Sequence, residues 1–218
     1  MPTPRRRLRY HVAVSLDGFI SRRGDDDYSW IVDDPAVDFA TMLGEYDTAV
    51  LGRKTWDVAR AMGQDGVAGL DAIVFSKSLA AESRKGLRIT NDDPVTTVAA
   101  LKKRPGKDIW LFGGGEMFRT LLGAGLVDTV EVALIPVLLG DGIPLLPPGG
   151  STKLKLVDQK VLPKSGIIML AYSVPGGIAP ALPIKYVKAP GKAAKRSART
   201  RRKTGAKKTT AGKRRARR

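Results

Sequence analysis

The sequence predicts an α/β fold: one three-layer domain on a mainly parallel mixed sheet, with helices on both faces and an antiparallel hairpin closing the C-terminal side. Two observations carry this. Short β-branched runs alternate with helix-periodic segments for two-thirds of the chain, and two strand-like runs then follow one another. A third sets the boundary. After Pro175 the pattern dissolves into Pro, Gly, Ala and Lys, so a domain over residues 8–175 precedes a tail, residues 176–218, whose composition predicts disorder.

Tyr10–Leu16 is apolar and β-branched and reads as a buried strand. A polar loop with Gly18, Gly24 and Asp25-Asp26-Asp27 leads to Pro35, which suits the first position of a short helix with Val37, Phe39, Ala40 and Leu43 on its apolar face. Thr48–Leu51 is a second strand, and Gly52 turns it into a helix carrying Trp56, Val58 and Ala59. Ala72–Phe75 is a third strand and Leu87–Ile89 a short fourth. Asp93-Pro94 opens a helix with Val95, Val98 and Leu101 along one side, closed by Pro105-Gly106. Ile109–Phe112 is a strand entering Gly113-Gly114-Gly115, and a helix with Met117, Phe118, Leu121 and Leu122 follows, ending near Gly123 or Gly125. Val130–Leu139 is a long apolar strand. Residues 153–161 and 166–174 form the closing hairpin around Pro163-Lys164-Ser165-Gly166.

Composition excludes several chemistries. With no cysteine there is no disulfide, thiolate metal site or cysteine nucleophile, and the single histidine, His11, supports neither a catalytic triad nor a multi-histidine metal site. His11 is expected on a strand at the domain's edge, in a structural role. Asp25-Asp26-Asp27 and Asp33-Asp34 read as solvated loop, and no metal is expected. No run approaches the roughly 18 apolar residues of a membrane helix, so a cytoplasmic protein without membrane contact is expected. The net charge of +17 is local: 16 of the 38 Lys and Arg lie within residues 185–218, which hold no Asp or Glu, leaving 22 against 21 acidic residues elsewhere.

Three segments, 48–56, 72–78 and 109–118, run from a strand into a turn, where sheets of this kind bind ligands beyond the strands' carboxyl ends. Gly113-Gly114-Gly115-Glu116 lets the main chain approach a ligand, and the helix start behind it offers N–H groups to an anion. A tight turn without a ligand has the same form. Gly52-Arg53-Lys54-Thr55 repeats the arrangement with two cations that oppose the helix dipole unless an anion arrives. Ser76-Lys77-Ser78 sets one more cation between hydroxyls.

Together the motifs AVSLDGFIS (Ala13–Ser21), LGRKTW (Leu51–Trp56), IVFSKSL (Ile73–Leu79), LFGGGEMF (Leu111–Phe118) and GDGIPLL (Gly140–Leu146) resemble the dihydrofolate reductase superfamily, most of all the reductase domain of bacterial riboflavin-biosynthesis deaminase-reductases. The resemblance covers residues 8 to about 175. It implies a dihydrofolate reductase-like domain and an NADPH-dependent oxidoreductase of a small heterocyclic substrate. By the same resemblance Gly52, Arg53, Lys54 and Thr55 hold the NADPH phosphates, with Ser76 and Lys77 near the adenosine 2′-phosphate. Gly113-Gly114 carries a cis peptide; Gly113, Gly114, Gly115, Glu116, Met117 and Phe118 form the pyrophosphate and ribose side; Ala13, Asp17 and Ile20 line the nicotinamide side. Asp38 is the nearest match to the carboxylate that dihydrofolate reductases place beneath the pterin, although it stands slightly too close to Gly52. Trp30 falls where that family keeps an active-site tryptophan, in the substrate pocket or in core packing. Val132-Ala133-Leu134 occupies the place of that family's threonine, which speaks against dihydrofolate as substrate.

Residues 188–218 contain no aromatic residue and predict polyanion binding through counterion release, with nucleic acid as the partner of 185–218. Two functions from different classes follow: a riboflavin-type or dihydrofolate-type reductase, or a non-catalytic scaffold whose tail binds nucleic acid. The apolar 130–139 strand and the hairpin suit either a homodimer interface or plain core.

Overall fold

A computed structural model describes residues 5–24, 27–67 and 69–179. The expected disorder of 180–218 and the loop residues Asp25 and Asp26 therefore lie outside the described residues.

Nine strands form one sheet. Its central six are parallel: β1 (Leu8–Ser15), β3 (Tyr46–Gly52), β4 (Asp71–Phe75), β6 (Leu87–Thr90), β7 (Asp108–Gly113) and β8 (Thr129–Ile135). Antiparallel partners finish both edges: β5 (Glu82–Arg84) pairs with β6, and β11 (Ile168–Ser173) joins β8 to the outermost β10 (Lys155–Val161). The spatial order is β10-β11-β8-β1-β7-β3-β4-β6-β5. A separate two-stranded ribbon joins β2 (Phe19–Ser21) to β9 (Ile143–Pro144). No helix of the described residues is long and apolar enough to cross a membrane.

Strand alternation sorts the core by face. One face of the sheet, with Tyr10, Val50, Ile73 and Leu111, packs against α3 (Pro94–Lys102) and α4 (Gly115–Gly123) through Val98, Leu101, Phe118, Leu121 and Leu122. The opposite face packs on α1 (Phe39–Leu43) through Met42 and on α2 (Arg53–Ala61) through Trp56. Helices on both faces of a mainly parallel sheet match the expected three layers.

Several boundaries differ from the sequence reading. The first helix starts at Phe39, not Pro35, because Asp34 closes a turn through Val37 N–H and Asp38 becomes the N-cap. The long apolar strand stops at Ile135, since Pro136 has no N–H to extend a ladder. His11 lies on β1, in the middle of the sheet and not at its edge, between β7 and β8. The body also outlasts residue 175: Gly177 N–H donates to Val174 O and Ile178 N–H to Asp128 Oδ1.

The amino-terminal ends of the central strands carry a buried charge network. Arg9, 1% exposed, donates from Nε and Nη2 to Glu131 Oε1 and Oε2 at 2.8 and 2.7 Å, while Glu131 is wholly buried on the neighbouring strand. Glu45 and Asp108 accept from Arg9 Nη1 at 2.6 and 3.3 Å. This end supplies stability, and the cleft opens at the other.

Candidate active site

A cleft of about 1550 Å³ runs over the carboxyl ends of β3, β4 and β7 and along the sheet face between α1 and α2. Its floor is apolar: Ala13, Trp110, Phe112, Ala133, Ile135 and Met169. Val37, Phe39 and Met42 form one wall and Val58, Ala59 and Met62 the other. Phe39, Met62 and Val32 reach the rim with about half of each side chain exposed.

Two strand-to-helix turns meet at one end. Gly52 is the N-cap of α2 and Gly114 that of α4, and neither has a side chain to cap its helix, so the first-turn N–H groups stay available to a ligand. Both helices are nine residues long. The peptide between Gly113 and Gly114 is cis, as the resemblance implied. Gly113 has φ 154°, in the region L side chains rarely adopt, and a β-carbon on it would meet Thr55 Cγ2 and Oγ1 at 3.3 Å. A β-carbon on Gly115 would meet Pro144 O at 2.9 Å, so the start of α4 is pressed against the β9 loop.

The same end is cationic. Arg53, Lys54 and Lys77 line it, with Arg53 Nη1 donating to Ser78 Oγ at 2.5 Å and its Nε to Asp57 at 3.2 Å. Of the residues expected to hold a cofactor, the structure brings Ala13, Ile20, Gly52, Arg53, Lys54, Thr55, Lys77, Gly113, Gly114, Gly115, Glu116 and Met117 together around this cleft.

Besides Asp38, four expected site residues stand elsewhere. Asp17 is exposed and clamps two loops: its carboxylate accepts from Ser15 Oγ at 2.6 Å, Gly140 N at 2.7 Å and Leu139 N at 3.0 Å. The Ser15 hydroxyl first, then the two amides, hold its pKa down at about 2. Ser76 is buried, its hydroxyl accepting from the N–H groups of Ser78 and Leu79. Phe118, 3% exposed, points into the core and stacks on Tyr10 with ring centroids 3.9 Å apart. Trp30 is buried in the cluster beneath the opposite face with Met42, Tyr46 and Trp110.

The carboxylate at the far end is Asp34 and not Asp38. Asp38 caps α1, accepting from Thr41 N at 3.0 Å and Thr41 Oγ1 at 2.9 Å, and does not line the cleft. Asp34 does line it and is only 7% exposed. Its Oδ1 accepts from Ala36 N at 2.8 Å. The Ala36 N–H, followed by the nearby Ser165 hydroxyl, keeps the carboxyl below its ordinary range despite burial, so Asp34 is ionised at neutral pH. The solvated-loop reading of Asp33-Asp34 is corrected for Asp34: the hairpin turn carrying Ser165 reaches it from 131 residues away, a contact no local pattern announces. His11 also lines the cleft, and burial lowers its pKa to about 4, leaving it neutral.

Comparison with known proteins agrees with this fold. Residues 6–167 match the model of the RibD C-terminal domain. An uncharacterized protein of Bacillus subtilis, YyaP, is 34% identical over 77% of this chain and 94% of its own length. Among solved structures, a Shewanella sp. PV-4 protein provisionally named for riboflavin biosynthesis superposes with TM-score 0.66 at 23% identity, over 77% of this chain and 98% of the other. Dihydrofolate reductase from Enterococcus faecalis, complexed with NADP(H), superposes with TM-score 0.59 at 16% identity, over 77% and 96%. The chain belongs to the RibD C-terminal domain family and has the dihydrofolate reductase-like fold.

Proposed function

From that membership and the geometry of the cleft, we propose that the protein is an NADPH-dependent reductase of a small heterocyclic substrate, of the kind acting on 5-amino-6-(5-phosphoribosylamino)uracil in riboflavin biosynthesis. The observation that carries the reading is the meeting of two uncapped helix starts, Gly52–Thr55 and Gly114–Met117, beside Arg53, Lys54 and Lys77 at one end of an apolar cleft. This donor set fits a dinucleotide phosphate: backbone N–H groups for the pyrophosphate, and a cation at the end of β4 for an extra phosphate. Bound there, the nicotinamide supplies the hydride. The chain's own task is alignment. Ala13, Ile20 and the β9 ribbon border the space where a flat ring would lie, and Trp110, Phe112 and Met169 exclude water beneath it. Asp34, ionised and lining the cleft, accepts an N–H group from the substrate heterocycle and fixes its orientation.

The Asp34 placement also favours a second reading, dihydrofolate-type reduction, which an assay with that substrate tests directly. The first test is a thermal shift on a chain ending at Pro180, which removes the tail's own attraction for phosphate compounds. At 100 times its dissociation constant NADPH should stabilise by about 2.7 kcal/mol, a rise of roughly 5–10 °C, with a smaller rise for NADH. Lys77→Ala should erase the difference between the two nucleotides. No shift with either nucleotide overturns the reading.

A further inference from the structure

Several cations of the body have carboxylate partners. Arg6 pairs with Asp47, Arg7 with Asp108, Arg9 with Glu131, Arg84 with Asp65, Arg88 with Asp92 and Lys102 with Asp128. Residues 185–218 have no such option within themselves, since their 16 Lys and Arg stand among Ala, Gly, Ser and Thr without a single carboxylate. The last described residues are held at the amino-terminal end of the sheet. Ile178 N–H donates to Asp128 Oδ1 at 2.9 Å and Arg7 Nη1 to Ala179 O at 3.5 Å. Both anchors flank the amino-terminal ends of β1, β7 and β8, whereas the cleft opens at the carboxyl ends.

We propose that residues 185–218 form a second binding element, which holds the phosphodiester backbone of duplex nucleic acid without reading its sequence. The chemistry of the segment selects this partner. Tyr186 is the element's one aromatic residue and Val187 its one bulky aliphatic; from Lys188 onward there is neither, so the segment has no row of side chains to insert into a lipid interface or stack on successive unpaired bases. What remains is cation density, and the matching surface is the duplex, with one phosphate about every 1.7 Å of its axis. Binding is driven by counterion release. Engagement of even half of the 16 cations gives a salt exponent near −7. This proposal stands apart from the reductase reading, because its element shares no residue with the nucleotide site.

The test uses the full chain. Fluorescence anisotropy on two unrelated 30-base-pair DNA duplexes and on an RNA duplex of equal length is followed from 50 to 200 mM KCl, with phosphatidylserine-containing vesicles in a parallel sedimentation arm. The expected result is equal affinity for the two DNA sequences and at least a 1000-fold loss across the salt range. Relative DNA and RNA affinity then says which duplex is the better source of phosphates. A chain ending at Ile184, and a full-length chain with the Lys and Arg of 195–218 replaced by Gln, should both lose this binding while keeping the nucleotide-induced thermal shift of the parent. Retained duplex binding in either variant, an affinity insensitive to salt, a tenfold preference between the DNA sequences, or vesicle binding tighter than duplex binding at 150 mM would overturn the proposal.

Discussion

Thr55 is packed against Gly114: a β-carbon on that glycine would stand 3.3 Å from Thr55 Oγ1, and one on Gly113 would meet the same side chain at the same distance. The two strand-to-helix turns of the cleft are therefore in direct contact, and a methyl group on either glycine obliges Thr55 to give way by a few tenths of an ångström.

Gly114 has an ordinary φ of −100°, so Gly114→Ala tests this contact alone. The variant should keep its melting temperature within a few degrees of the parent and bind NADPH at least tenfold more weakly by titration calorimetry. Gly113→Ala adds the cost of φ 154°, about 1–3 kcal/mol, and should melt several degrees lower as well. Unchanged affinity in Gly114→Ala would remove the turn from the nucleotide site.

Asp34 and Asp38 are separable by mutation. Asp34→Asn should leave the NADPH-induced thermal shift intact and lower kcat/KM about 100-fold, a loss of roughly 2.7 kcal/mol of transition-state stabilisation. Asp38→Ala removes a helix cap and should lower stability by about 1 kcal/mol with turnover unchanged. The reverse pattern would return the substrate carboxylate to Asp38.

His11 is the only histidine, so its ring proton gives a single, unambiguous NMR resonance. Its titration midpoint in the folded protein should lie near 4. Between that value and the ordinary 6.5 the unfolded chain binds a proton that the folded chain refuses. Stability therefore rises with pH across this window, is complete above it, and is lost toward pH 4, by about 3 kcal/mol in all. His11→Gln should flatten that part of the pH–stability curve. A midpoint near 6.5 would place the imidazole in solvent.

The Arg9–Glu131 pair is a liability as well as a support. Burial alone would push the Glu131 carboxyl up, but its hydrogen bonds and charge pairing with Arg9 leave it below its ordinary value. The stability from this shift is present above about pH 4.5 and is lost as pH falls through the lowered value. Glu131→Gln leaves a guanidinium short of its counter-charge and should cost about 3–5 kcal/mol in urea denaturation at pH 7. A cost under 1 kcal/mol would mean that Glu45 and Asp108 satisfy Arg9 by themselves.

The sheet was legible because its central strands are mostly apolar runs, three of which (β3, β7 and β8) end at glycine or before proline, and the cationic end of the cleft because Gly52 and Gly113 mark strand ends whatever the tertiary context. Pairing order was not legible: β1 is central only through neighbours 100 and 120 residues away, and this is what misplaced His11. The β2–β9 ribbon is too short, at three and two residues, to show a period. Asp34 was missed for a further reason. An acidic pair in a polar loop carries the same local signal whether or not a distant turn buries one member, and only packing against the hairpin decides it. Phe118 shows the opposite limit, since its helical spacing with Leu121 and Leu122 already belonged to the core stripe.

Asp128 accepts from Leu8 N–H at 2.7 Å and from Ile178 N–H at 2.9 Å, so one carboxylate fastens both the first strand's start and the segment that follows the last strand. The domain is therefore a cassette. Its two ends meet at one point behind the sheet, and a circular permutant joining residue 178 to residue 8 through a few glycines should fold with its cleft intact. A neighbour spliced on there would load the foot of the sheet and leave the catalytic mouth clear.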